Sequence, residues 1–252
     1  MKLLMAFHTM TYPPESGVTK RTYHLLEEMA RRHEVTLVTF GTPAEEESIR
    51  RRLGGQLRRI VFVNGKRPRW MNLLKRIELG LTLRSLLHHS RTPRMQQALD
   101  QVFAAERFDL VFLGTPLFQF YRVPGGAPVV TDTHNVEYDL HRRAYEQAGG
   151  PLERAYYWYQ YKLLRRDELA ASGRGDALLT TSARDREVFQ RDLPRQRIHV
   201  VPNGVDLEAY LATPANGGSG RRLVFVGSMN YHANVDGIVW FVREEWPAIR
   251  KA

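Results

Sequence analysis

The chain has 252 residues, room for one or two domains, and its 43% hydrophobic and 25% charged residues are those of a folded globular protein rather than a disordered one. It contains no cysteine, which excludes disulfides, thiolate zinc sites and a cysteine nucleophile and is compatible with a reducing compartment. The 37 Lys and Arg against 27 Asp and Glu give a formal charge of +10, which directs attention to anionic partners.

The opening run Met1 to Phe7 is too short for the core of a signal peptide, and His8-Thr9 follows it in place of a small-residue cleavage site. No window approaches the roughly 20 apolar residues that span a bilayer. A cytoplasmic protein is expected, with any membrane contact peripheral. Leu3 to Phe7 reads as a short buried parallel strand, after which Val18, Thr22, Leu25, Leu26 and Met29 mark one face of a helix. Val35 to Phe40 and Arg59 to Val63 read as the next strands. Lys66 to Arg94 then carries Lys66, Arg67, Arg69, Lys75, Arg76, Arg84, Arg91 and Arg94 against the single acid Glu78, with Trp70, Leu73, Leu74, Ile77, Leu81 and Leu87 at helical spacing. Such a helix is either a core element with a solvated basic back or a surface for anionic membranes. Charge alone would also permit nucleic acid, but no helix-turn-helix, zinc-finger or RNA-binding aromatic motif accompanies it, so no nucleic-acid partner is expected.

Further strands are expected at Leu110 to Leu113, Val129 to Thr131, Ala177 to Thr180 and Ile198 to Val201, with helices between most of them. This alternation predicts an α/β fold with a doubly wound parallel sheet. The aromatic residues between Glu153 and Glu168 read as packing more than as a sugar platform. Pro214 and the run Ala215 to Gly220 read as a linker, and Leu223 to Gly227 starts a fresh strand. The expected division is a first domain over residues 1–213, a linker at 214–221 and the start of a second domain over 222–252.

In parallel sheets chemistry lies at the carboxyl ends of strands. The first such loop, His8 to Gly17, ends in Ser16-Gly17 ahead of a helix. That is either an ordinary turn or a place where backbone and helix N-terminus approach a phosphate. Arg21, one turn into the helix, either adds a fixed positive charge beside the cleft or lies on the surface. The second loop is Asp132-Thr133-His134-Asn135-Val136-Glu137. A histidine in that polar company suits a site, whereas Asp132 and Glu137 serve as orienting partners or helix caps as often as substrate ligands. Ser182, three residues before Asp185, reads as a helix N-cap, and Asn203-Gly204 as a turn that redirects the chain.

Three segments, in their order and separation, resemble the retaining family 4 glycosyltransferases: Asp132 to Glu137, Val201-Pro202-Asn203-Gly204-Val205-Asp206, and Leu223-Val224-Phe225-Val226-Gly227-Ser228-Met229-Asn230-Tyr231-His232-Ala233-Asn234-Val235-Asp236. The resemblance implies a GT-B architecture with a complete N-terminal Rossmann-like domain and the first strand and helix of a C-terminal one. It implies transfer of a hexosyl group from a nucleotide-sugar to a glycan or lipid-linked acceptor, with retention and with no cofactor, metal or protein nucleophile. His134 would position the sugar; Gly17, Gly227, Ser228 and Asn230 would approach the donor; Arg21, Asn135 and Glu137 would face the acceptor. Ser228 and Asn234 stand where many members carry an arginine and a lysine. That departure, together with Arg21, resembles the exosortase-associated subgroup and implies polysaccharide biosynthesis, with peripheral contact at the inner membrane face left open. The later glutamate pair and basic loop of the donor domain have no counterpart within these residues. Two other readings stay open. One is a non-catalytic fragment or binding protein. The other is an inverting transferase or nucleotide-sugar epimerase with His8 as general base.

Overall fold

The computed structural model describes residues 1–65, 85, 91–205, 207, 211, 223–227, 229 and 232–251. The chain divides into two units, Met1–Gly204 and Val205–Ala252. The expected linker at 214–221 lies outside the described residues, as do Ser228, Asn230 and all of Lys66 to Ser90 except Ser85.

The first unit is an α/β fold built on seven parallel strands: β1 (Lys2–Phe7), β2 (Glu34–Phe40), β3 (Arg59–Val63), β4 (Leu110–Leu113), β5 (Val129–Asp132), β6 (Ala177–Thr180) and β7 (Ile198–Val200). Their spatial order is β3-β2-β1-β4-β5-β6-β7. The seven strands expected from short apolar runs are present, because a parallel strand buried on both faces has no polar side to write into its sequence. β1 shows this plainly. Leu4 and Ala6 join one core with Val38, Phe40, Val111 and Leu113, while Leu3, Met5 and Phe7 join another with Val35 and Leu37. The helices α1 (Gly17–Arg32) and α2 (Pro43–Leu53) cover the second face through Tyr23, Leu26, Ile49 and Leu53. α3 (Pro93–Ala105) covers the first through Met95, Leu99 and Val102. α4 (Glu137–Gln147), α5 (Pro151–Ser172) and α6 (Ala183–Asp192) enclose a third core of Val136, Tyr138, Leu164, Leu178, Phe189 and Ile198.

Local chemistry starts these helices where the chain leaves the sheet. Ser16 and Thr42 each accept the N–H of the residue three positions on, and Thr19 and Glu45 return the contact, so α1 and α2 both open on capping boxes. Ser182 accepts the N–H of Asp185 at 3.1 Å, the cap expected of it. In α5 the aromatic residues divide. Tyr157 and Tyr161 pack on His141 and Tyr138, whereas Tyr156 and Trp158 stay half exposed.

The described part of the second unit holds the helix α7 (His232–Trp240), a π-helical turn over Phe241–Glu245 and α8 (Trp246–Lys251). The strand expected at Leu223 to Gly227 is not formed. Val224 and Val226 are 83% and 90% exposed, and among the described residues no strand pairs with them. An apolar run becomes a strand only where a neighbour pairs its backbone and a layer covers its side chains.

Burial in the double-sided sheet sets a stability test. Leu37→Ala, at a fully buried site on β2, is expected to lower unfolding free energy by about 2–5 kcal/mol in urea titrations followed by circular dichroism. Leu152→Ala, on the exposed start of α5, should stay within about 0.5 kcal/mol.

Candidate active site

The strand order reverses direction between β1 and β4, so the loops leaving these two strands turn to opposite faces and open a crevice at their carboxyl ends. A pocket of about 310 Å³ occupies it. His8 and Thr9 enter from the end of β1, Val18 and Thr22 from α1, and Gly114, Thr115 and Leu117 from the segment after β4; His134, Glu137, His141 and Leu164 close the far wall. Gly114 is required by close approach. A Cβ there would collide with the Phe7 ring and lie 3.3 Å from the Ala6 carbonyl oxygen, while its own N–H donates to that oxygen at 2.8 Å.

The His134 loop is held from several sides. The Thr133 N–H donates to the Leu179 carbonyl at 2.9 Å. The Thr133 hydroxyl donates to the Asn135 carbonyl at 2.7 Å and the Thr181 hydroxyl to the His134 carbonyl at 3.2 Å. Desolvation by the surrounding protein lowers the His134 pKa and Arg21 lowers it further, while Asp132 and the Gly114 backbone oppose them. His134 is therefore neutral near pH 7. Desolvation lowers the His8 pKa as well, and its ring meets Phe40 edge-on at 5.4 Å. His141, one helical turn after Glu137, donates from Nδ1 to the Glu137 carbonyl at 3.0 Å.

The structure thus brings His134, Glu137 and His8 to one pocket. Asn135 is exposed beside them, its amide 3.5 Å from Glu137 Oε1. Gly17 is the first residue of α1, and nothing lies within 4 Å of where its Cβ would be. Ser16 is the cap of that helix and occupies the Thr19 N–H. Gly227 belongs to the second unit, where a Cβ would come within 2.9 Å of Phe225 and Asn234.

Arg21 corrects the expectation of a free charge beside the cleft. Its guanidinium is 4% exposed and donates to both Asp132 oxygens, from Nε at 2.8 Å and Nη2 at 2.7 Å. The Asp132 carboxylate is fully buried. Arg21 Nη1 turns the other way, to the Val201 carbonyl at 2.8 Å, the Pro202 carbonyl at 3.4 Å and Asn203 Oδ1 at 3.3 Å. With its donors directed into protein acceptors, this arginine fastens the site rather than presenting a charge to an acceptor.

Glu168 went unnoticed in the sequence. α4 has no side-chain cap of its own at Val136, and Glu168, 1% exposed on α5, supplies one from a distance. Its Oε1 accepts the Glu137 N–H at 3.1 Å and its Oε2 the Tyr138 N–H at 2.9 Å. Thr115, His141 and Gly114 were also unremarked. The four-residue step from Glu137 to His141 was a readable signal that both share a helix face. Among the described residues no group of three or more His, Cys, Asp or Glu is placed to hold a metal ion, and no helix is long and apolar enough to cross a membrane.

The sequence matches the Glycosyltransferase Family 4 profile over residues 16–209, from the α1 cap to beyond β7. The chain belongs to Glycosyltransferase Family 4. No curated protein matches it in sequence. Among solved structures it is similar to Arabidopsis thaliana UGT89C1 complexed with UDP, with 12% identity, a TM-score of 0.43, and 81% of this chain and 50% of that chain covered. It is also similar to a putative UDP-N-acetylglucosamine 2-epimerase from Listeria monocytogenes, with 14% identity, a TM-score of 0.41, and coverage of 76% and 42%. The chain spans half or less of the length of each.

Burial pushes the Glu168 carboxyl from its usual 4.5 up to about 8, against the two backbone N–H bonds that favour its charged form. The folded state therefore holds this proton after the unfolded chain has lost it, so its contribution to stability is complete below about pH 4.5 and is lost as pH rises toward 8. Urea unfolding at a series of pH values should show stability falling over this window. In Glu168→Gln the decline should flatten.

Proposed function

We propose that the first unit is the acceptor-side half of a two-domain GT-B glycosyltransferase that moves a hexosyl group from a nucleotide-sugar to a glycan or lipid-linked acceptor, with retention at the anomeric carbon. The observation that supports this best is the crevice at the strand-order reversal of a family 4 chain, where a histidine kept neutral by burial and a carboxylate line one pocket. A neutral imidazole can bond to a sugar hydroxyl as donor or acceptor, and Glu137 can accept from the hydroxyl of an incoming acceptor. In the transfer, the acceptor oxygen bonds to the anomeric carbon while the bond to the diphosphate oxygen breaks, and the hydroxyl proton leaves with the diphosphate. The protein's part is alignment and electrostatic stabilisation. His134 is the residue assigned to sugar positioning, and Asn135 and Glu137 to the acceptor. Gly17, whose open side leaves room for a ligand, is assigned with Gly227, Ser228 and Asn230 to the donor, the last three from the start of a donor-binding domain at 222–252.

The test uses a protein in which this chain is followed by a full donor-binding domain. His134→Ala should lower kcat/KM about tenfold to a thousandfold, on the scale of misplacing a substrate by an ångström. His8→Ala should do much less. A second reading, inversion with His8 as general base, has one observation in its favour: His8 lines the same pocket and its lowered pKa leaves it neutral and able to take a proton. The reversed ranking of the two variants, with an inverted anomer in the product, would select it.

We further propose cytoplasmic action in polysaccharide biosynthesis, in the exosortase-associated manner, with peripheral attachment to anionic membranes through Lys66 to Arg94. Its support is the eight basic residues against one acid in that segment. Co-sedimentation with anionic vesicles should weaken with salt and drop when Arg67, Arg69, Lys75 and Arg76 become glutamine. Equal pelleting with neutral vesicles would argue against it.

A further inference from the structure

We infer that Arg21 is a positioning residue that ties the exit of the first unit to the His134 loop, so that the pocket's geometry follows the placement of Val201 to Asn203. The role in catalysis rests on the reading of the pocket given above; the mechanical link does not. The first unit ends at Gly204, and the three residues before it are the ones Arg21 Nη1 engages, through two carbonyls and the Asn203 side chain. On its other edge the same guanidinium grips Asp132 with two parallel bonds. Asp132 ends β5, two residues before His134. A second path joins the same loops: the Val201 N–H donates to the Thr180 carbonyl at 2.8 Å, and the next residue's hydroxyl, on Thr181, donates to the His134 carbonyl. The loops leaving β5 and β7 thus converge on α1 through one planar group, and the loop leaving β6 bridges them separately.

Two features show that this is more than cohesion. A buried ion pair adds little net stability over apolar residues of the same volume, so what it contributes is direction. Only arginine can do this here, because its planar fork holds a carboxylate with two nitrogens while the third points elsewhere; a lysine ammonium is a single point. The link also reaches the reacting side of the pocket electrostatically. Asp132 raises and Arg21 lowers the His134 pKa, so a shift of either group relative to the ring is felt by the imidazole.

The experiment places the disturbance at the exit and reads it at the pocket. Pro202 is exposed and lines no part of the pocket, and Pro202→Gly loosens the backbone there while leaving Arg21 and Asp132 in place. In the 252-residue chain, with no donor or acceptor added, the His134 imidazole is titrated by NMR. Pro202→Gly is expected to change its protonation constant by roughly twofold, about 0.3 pH unit. In an Arg21→Lys background the same substitution should shift the titration clearly less, what remains being carried by the path through Thr180 and Thr181. If Arg21→Lys fails to fold, Arg21→Met with Asp132→Leu removes both buried charges together and serves as the background. No shift from Pro202→Gly in the native background, or an equal shift in both, overturns the proposal. Because the readout is a titration and not transfer, it can fail while His134→Ala still lowers kcat/KM, and it can succeed if the transfer reading is wrong.

Discussion

The first unit is organised by one constraint, that β1 lies in the interior of a parallel sheet and must be covered on both faces. A strand in that position can be served only by crossovers that run to opposite sides, which places α1 and α2 on one face and α3 on the other. The chain therefore moves outward from β1 to β3, returns across, and continues through β4 to β7. The loops after β1 and β4 are forced apart at their carboxyl ends, and a cavity has to form there. Gly114 shows how tightly the floor of that cavity is drawn, since the Phe7 ring occupies the space of any side chain. The pocket is a by-product of sheet topology before any residue in it has a chemical role.

What turns the cavity into an ordered site is that the ionisable groups buried behind it, Arg21, Asp132 and Glu168, all have partners. Asp132 would be costly without Arg21, and Arg21 without Asp132, because each is withdrawn from water and breaking such a pair leaves a charge with no partner. Glu168, whose carboxyl burial pushes up to about 8, avoids that cost by keeping its proton, and its oxygens accept the two N–H groups at the start of α4 and so aim the helix that carries Glu137 and His141. Neither carboxylate faces the pocket, yet both decide where its lining residues stand. This is the arrangement that lets a site align substrates without reorganising during the reaction.

The sheet was legible because its signal is local. Four to six apolar residues in a row are enough to mark a buried parallel strand, and the same run at Leu223 to Gly227 shows the limit of that signal, since the pairing partner of a strand is not written in the strand. His134 and Glu137 were legible because they sit side by side after a strand. Arg21 was misjudged because its helical neighbours at the three- and four-residue steps give no cue: Val18 is exposed and Leu25 only partly buried, while Arg21 is buried beside Thr22. Its partner could not be inferred either, because Asp132 is 111 positions away. Glu168 is hidden in the same way, 30 residues from the N–H group of Tyr138 that it caps. Long-range pairing of polar groups is a property of the folded topology, and a single sequence carries residue types and not their meetings.

The charge of the pocket bears on how a transferase built on it divides its work. The chain is +10 overall, but no Lys or Arg is among the described residues that line the pocket. His8 and His134 are kept neutral by burial, and the nearby guanidinium of Arg21 is neutralised by Asp132. Such a lining suits hydroxyl groups, which ask for hydrogen-bond partners and not for counter-charge. It gives a departing diphosphate nothing to neutralise it. On the transferase reading, then, the first unit recognises and orients the hydroxyl-bearing partner, while stabilisation of the leaving group has to come from backbone N–H groups at a helix start such as Gly17 or from groups outside this lining.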